Sequence, residues 1–181
     1  MFADNTLTPK EAVRLCALGT LALKPRRYGD LANSIRHFIS RITGPSLDVM
    51  GVSIELLKYE GLIEASGGID LDDDAELVIT ENGRRELKLL LIANVRPAAT
   101  EISKLVVALK FRFMHLLEKS EQMEQAELLI EMTENELARL DDLHSHHANN
   151  EGFLGAWLDH DIKLLETRLA WLNDFSRALQ E

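Results

Sequence analysis

The chain has 181 residues, 46% of them apolar and 28% charged, and its 30 acidic against 20 basic side chains give a formal net charge of −10. At about 100–200 residues per domain this length holds one domain or two small ones, with enough apolar side chain for a core, which excludes a mainly disordered chain. The acidic balance opposes non-specific adhesion to nucleic acid or anionic membrane, and the single Cys16 excludes an internal disulfide framework and a cysteine-rich zinc site.

Apolar runs such as Leu89 to Ala93 and Leu105 to Leu109 are far shorter than the roughly 20 residues that span a bilayer. No basic-then-apolar leader pattern opens the chain, so a cytoplasmic protein that stays out of the membrane is expected. Charge is uneven: residues 1–95 hold 11 basic and 14 acidic side chains, net −3, and residues 96–181 hold 9 and 16, net −7. Pro97 disfavours a helical Arg96 and sets the expected boundary between two domains, 1–95 and 96–181.

The string Thr8-Pro9-Lys10-Glu11 predicts a capping box at the start of a helix running to about Leu23. Val13, Cys16, Ala17, Thr20 and Leu21 form its inward face, with Cys16 as a core residue. After Lys24-Pro25, the apolar Leu31, Ile35, Phe38 and Ile42 predict a second helix over 30–42, opened by Arg26, Arg27 and Tyr28. Gly44-Pro45-Ser46 turns the chain into a third helix, about 47–59, with Met50, Ile54 and Leu57 inward, Ser46 as its cap and Gly61 as its stop. Short strands at 62–65 and 76–79, with Ser66-Gly67-Gly68 and an acidic tip between them, predict a β-hairpin. Thr80 then caps a fourth helix to about Ile92. Three helices, a hairpin and a helix in this order make a winged helix-turn-helix.

Beyond Pro97 the pattern is helical. A helix from Ala98 to about Lys119 carries Ile102, Leu105, Val106, Leu109, Phe113 and Leu116, widened by Phe111 and Met114. Ala126, Ile130, Thr133, Leu137, Leu140 and His144 hold a coiled-coil heptad register over about three repeats in the next helix, 121–144. A last helix, about 154–179, carries Leu158, Ile162, Leu165, Leu169, Leu172, Phe175 and Leu179, with Trp157, Leu164 and Trp171 as an additional stripe. So wide an apolar face needs more than one neighbour. One can be internal, and the other is most economically a second subunit, with Leu158, Ile162, Leu165, Leu169, Leu172, Trp157 and Trp171 at the dimer interface.

The strings Leu57-Lys58-Tyr59-Glu60-Gly61-Leu62-Ile63 and Val78-Ile79-Thr80-Glu81-Asn82-Gly83-Arg84-Arg85-Glu86-Leu87, with the closing Leu164-Leu165-Glu166-Thr167-Arg168-Leu169-Ala170-Trp171-Leu172, resemble those of PadR-like transcriptional regulators. The resemblance implies a mainly α fold with a small β-hairpin wing, a winged helix-turn-helix domain followed by a long-helix dimerisation domain. It implies a homodimer on double-stranded DNA, with a recognition helix over about 47–60 in the major groove. It also implies an aromatic small-molecule effector as a ligand class, for which Trp157 and Trp171 are stacking candidates, set against large anchors that simply fill a dimer core.

Residues 24–48 carry five basic and two acidic side chains, net +3, the sequence's one evident basic stretch. Arg26, Arg27, Tyr28, Arg36 and Arg41 are the candidate backbone contacts; Ser46, Val49, Val52 and Ser53 face the bases. The outward face of the third helix has no Arg, Lys, Asn or Gln before Lys58, and Asp70, Asp72, Asp73 and Asp74 stand in the wing where these regulators carry basic residues. An alternative therefore stays open: a winged-helix protein-interaction module whose acidic wing binds another transcription factor or RNA polymerase, with little or no DNA binding.

The aspartates lack the sixth-position glycine and twelfth-position glutamate of a calcium loop. Asp142 and His146 share a helix face beside His144 and His147, but zinc needs further ligands, and histidines at a helix C-terminus already suit its dipole. No metal or cofactor is expected. With no nucleophile motif and no phosphate-binding loop, the chain reads as a non-enzyme.

Overall fold

A computed structural model describes residues 6–43, 54–66, 76–95, 101–147 and 152–181. The chain is mainly helical with a small antiparallel sheet, and it divides into two compact units, Met1–Leu116 and Leu117–Glu181.

In the first unit, α1 spans Pro9–Leu23 and starts as expected: Thr8 Oγ1 accepts the Glu11 N–H at 3.3 Å, and the Glu11 carboxylate accepts the Thr8 N–H at 2.7 Å. The helix ends at Lys24, extended before Pro25, and the next two residues form a strand rather than the start of a helix. This β1, Arg26–Arg27, pairs antiparallel with β3, Glu76–Ile79, which also pairs with β2, Ile63–Ala65. The sheet order is β1-β3-β2, so the expected hairpin gains a third strand. Its cause is local. Proline holds the chain extended as it leaves α1, and the open edge of β3 supplies partners for its backbone.

Helix α2 covers Tyr28–Thr43 and buries Leu31, Ile35, Ile39 and Thr43, an i, i+4 row. The expected row ran instead through Phe38 and Ile42, which are half-buried, because the packed face is rotated toward Ile39. Of the third helix, α3 covers Ile54–Tyr59 with Ile54 and Leu57 buried; Met50 lies outside the described residues.

Gly61 closes α3 at φ +68°, a left-handed conformation that costs glycine no Cβ clash. Around it the Leu62 N–H reaches the Leu57 carbonyl and the Gly61 N–H the Lys58 carbonyl, both at 2.9 Å, the paired bonds of a Schellman cap. Thr80 ties this turn to α4, Glu81–Ile92: its hydroxyl donates to the Gly61 carbonyl at 2.7 Å and accepts from the Gly83 N–H at 3.0 Å. Gly83 passes so close that a Cβ there would lie 2.0 Å from the Leu62 carbonyl oxygen.

Helix α5, Glu101–Phe113, ends in a 3-10 turn at Met114–Leu116, short of the expected Lys119. It packs on α1 and α2, so it belongs to the first unit, and the expected boundary at 95/96 falls inside that unit. The driving contact is apolar: Leu105, Val106, Leu109 and Phe113 are buried, and the Phe113 ring fills the space that Gly19 leaves. Contacted by α2, α4, α5 and β3, α1 buries Ala12, Leu15 and Leu18 besides its expected face.

The second unit is a helical hairpin of α6, Lys119–His147, and α7, Leu154–Ala178. A new helix starts at α6 because the Glu121 carboxylate accepts the Glu118 N–H at 3.2 Å, a side-chain cap. At the far end, His144 Nε2 lies 3.0 Å from Asp159 Oδ1, so the two helices run antiparallel. Ala126, Leu129 and Thr133 are buried on α6, Leu158, Leu165 and Leu172 on α7. No helix among the described residues is long and apolar enough to cross a membrane.

Candidate nucleic-acid interface

The candidate cations fall on two elements. Arg26 is half-buried in β1 opposite Leu77, with its Nε buried and without a hydrogen-bond partner among the described residues; Arg27 is exposed opposite Glu76. Alternate residues of a strand point to opposite faces, which sets the two candidate contacts Arg26 and Arg27 on different sides of β1. Tyr28, exposed, opens α2.

Arg36 and Arg41 are both exposed on α2. At about 100° per residue they stand at the two margins of the solvent face, with Asn33, His37 and Ser40 between them. Arg36 is steadied by the Asn33 side-chain oxygen at 3.0 Å, and Asp30 is the acid nearest the start of this face. Asn33, His37 and Ser40 were not among the sequence candidates. They lie opposite the Leu31, Ile35 and Ile39 row, which the expected row through Phe38 and Ile42 did not define.

Ser46, Val49, Val52 and Ser53, and the acidic Asp70, Asp72, Asp73 and Asp74, lie outside the described residues. What is described of α3 exposes Glu55, Leu56 and Tyr59, with Tyr59 90% exposed. Helix α4 presents a second basic surface of exposed Arg84, Arg85 and Lys88, so residues 24–48 do not hold the first unit's only cluster of cations.

Several carboxylates are already committed. Arg14 reaches Glu60 at 2.9 Å and Glu86 at 3.2 Å, bridging the end of α3 to α4 from α1. Hydrogen bonds from Thr8 hold the Glu11 carboxyl below its ordinary pKa. Arg112 lies over the Phe38 ring at 4.3 Å and the Phe113 ring at 4.9 Å and donates a long contact to Cys16 Sγ at 3.9 Å. Burial pushes the Cys16 thiol up to about 11.

Among the seven residues expected at a subunit interface, Leu158, Leu165 and Leu172 are buried within the single chain, where α7 packs on α6. Ile162 and Leu169 are half-buried, and Trp157 and Trp171 remain 53% and 52% exposed. The internal neighbour has taken the leucine row. The two tryptophans are 14 residues apart, about 21 Å along the helix, too far to stack on one planar ligand within one chain. His146 Nδ1 stays within 2.7 Å of the Asp142 carbonyl, a local bond on its own helix. Among the described residues no three His, Cys, Asp or Glu side chains come together as a metal site.

The chain is similar to the crystal structure of Bacillus subtilis PadR in complex with p-coumaric acid, at 16% identity and a TM-score of 0.39, over 94% of this chain and 99% of that one. No curated protein matches it. A family model described as "Putative AphA-like transcriptional regulator" matches residues 2–176, and with its winged-helix unit and long helices the chain belongs to that AphA-like family of transcriptional regulators.

Proposed function

We propose that this regulator is a non-enzymatic homodimer that binds double-stranded DNA, with residues 47–60 entering the major groove. Arg36 and Arg41 hold the phosphates that flank the groove, and Arg27 and Tyr28 extend the contact along the backbone. The observation that carries this reading is the solvent face of α2, where two arginines bracket Asn33, His37 and Ser40. Side chains of these types donate to phosphate oxygens and base edges. A net charge of −10 does not oppose it, since Glu60 and Glu86 are paired with Arg14 and most of the excess acidity belongs to residues 96–181.

The test is binding of the full chain to the promoter region of its own gene in a salt series. Specific binding that weakens with salt is expected, and Arg36→Ala and Arg41→Ala each lower the slope of log K against log salt by about 1. Absence of binding at low salt by the folded protein overturns the reading.

A second reading is favoured by Leu56 and Tyr59, exposed side by side on α3 at an i, i+3 spacing. Such a pair suits a protein surface, and with the acidic wing it would dock another transcription factor or RNA polymerase. Co-purification of a defined partner, lost in Tyr59→Ala while DNA binding is retained, supports it.

A further inference from the structure

Helix α7 carries two heptad rows offset by one residue. Leu158, Leu165 and Leu172 are buried within the hairpin, whereas Trp157, Leu164 and Trp171 are 53%, 57% and 52% exposed. One position corresponds to about 100° of rotation, so the open row runs beside the packed one along four turns. Phe153, 90% exposed, and Leu154, 41% exposed, continue it at one end. Phe175 stacks on Trp171 at 5.8 Å between ring centroids at the other. A soluble helix rarely leaves so long an aromatic seam in water.

The open row is symmetric about its centre: a tryptophan stands seven residues before Leu164 and another seven residues after it. We infer that a second copy of this chain covers the row, α7 against α7, antiparallel about a two-fold axis at Leu164. The inference rests on the dimer reading above and fixes its register. Leu164 then meets its own copy, and Trp157 packs against Trp171 and Phe175 of the second copy at both ends of the interface.

Charge selects the direction. Antiparallel alignment brings Asp161 beside Arg168 of the second copy, twice by symmetry. Parallel alignment would set Asp161 against Asp161 and Arg168 against Arg168. Arg168 is exposed and has no carboxylate partner among the described residues. The seven-residue repeat drifts by about 20° per heptad on a straight helix, which a left-handed crossing of two such helices accommodates.

Single cysteines at these exposed positions test the register in the full-length Cys16→Ser protein, using a short bifunctional maleimide, with sedimentation velocity as an independent readout of assembly. Leu164→Cys is expected to cross-link to itself. Trp157→Cys and Trp171→Cys should each stay uncoupled alone and form a covalent dimer when the two proteins are mixed and allowed to exchange. Self-cross-linking of Trp157→Cys and of Trp171→Cys would overturn the antiparallel register. A sedimenting dimer with no cross-link in any combination would move the interface elsewhere and leave the dimer standing. A monomer at micromolar concentration would remove the dimer reading itself.

Discussion

The amine of Lys110 donates a 2.6 Å hydrogen bond to the carbonyl oxygen of Leu91, while the lysine side chain is wholly shut off from solvent. Leu91 lies in the last turn of α4, where carbonyls lack helical partners, so a side chain from α5 caps the helix that follows the wing. A cation there also suits the negative end of the helix dipole.

Burial pulls the Lys110 pKa from 10.5 down to about 8. Between those values the unfolded chain binds more protons than the folded one, so this lysine makes stability rise with pH across the window. Cys16 acts in the opposite sense, because its thiol ionises near 9.0 when unfolded and near 11 when folded, and stability falls as pH rises above 9. From pH 8 to 9 the lysine is the dominant of the two, with a gain of at most about 1 kcal/mol. Denaturant unfolding at both pH values should show this gain in the native protein and lose it in Lys110→Met; equal pH slopes would contradict it.

Replacing Gly83 with alanine would drive a methyl group to within 2.0 Å of the Leu62 carbonyl oxygen, and the backbone there is fixed by Thr80. The expected loss is roughly 3 kcal/mol, as for overpacking of a tight core. Gly61→Ala, strained by a φ of +68° but with open space around it, should cost only about 1 kcal/mol. Urea midpoints of the two variants give the order, and a milder effect at Gly83 than at Gly61 would refute it.

Arg14 joins three helical segments through Glu60 and Glu86; Arg14 and Glu86 are half-buried, whereas Glu60 is exposed. Arg14→Ala is expected to cost about 1 kcal/mol, falling as salt is raised. Double-mutant cycles with Glu60→Gln and Glu86→Gln should show coupling in both arms.

Cys16 is fully buried with an elevated pKa, and the thiolate is the reactive form. Labelling by an aromatic disulfide at pH 8 should therefore follow opening of the first unit and accelerate in Gly83→Ala. Immediate labelling of the native protein would contradict this packing of α1.

Elements with chemical punctuation were legible in the sequence: Thr8, Gly61 and Thr80 mark the ends at which helices begin or stop, and heptads announce α6 and α7. The strand β1 was not, since two residues have no period and Arg26-Arg27 reads equally well as a helix start. The assignment of α5 to the first unit was hidden because its apolar face is the same whichever helix packs on it. Phe38 looked like core by spacing, yet its ring serves as a platform for Arg112. For the site, arginines stood out as single letters, whereas Asn33, His37 and Ser40 gained meaning only once the buried row of α2 fixed which way the helix turns.

The strand Arg26–Arg27 also governs what the sheet cannot do. It occupies one flank of β3 at Glu76 and Leu77, while β2 pairs with Leu77, Val78 and Ile79 on the other, so the central strand has a partner on each side. The outer strands are two and three residues long, and the flank at β1 follows a proline and carries two guanidinium groups. Short, charged, proline-preceded edges are poor templates for another chain's strand. Among the described residues, then, the edge at β1 disfavours docking of a further strand, and its two arginines add charge repulsion against pairing with a second copy of the same edge.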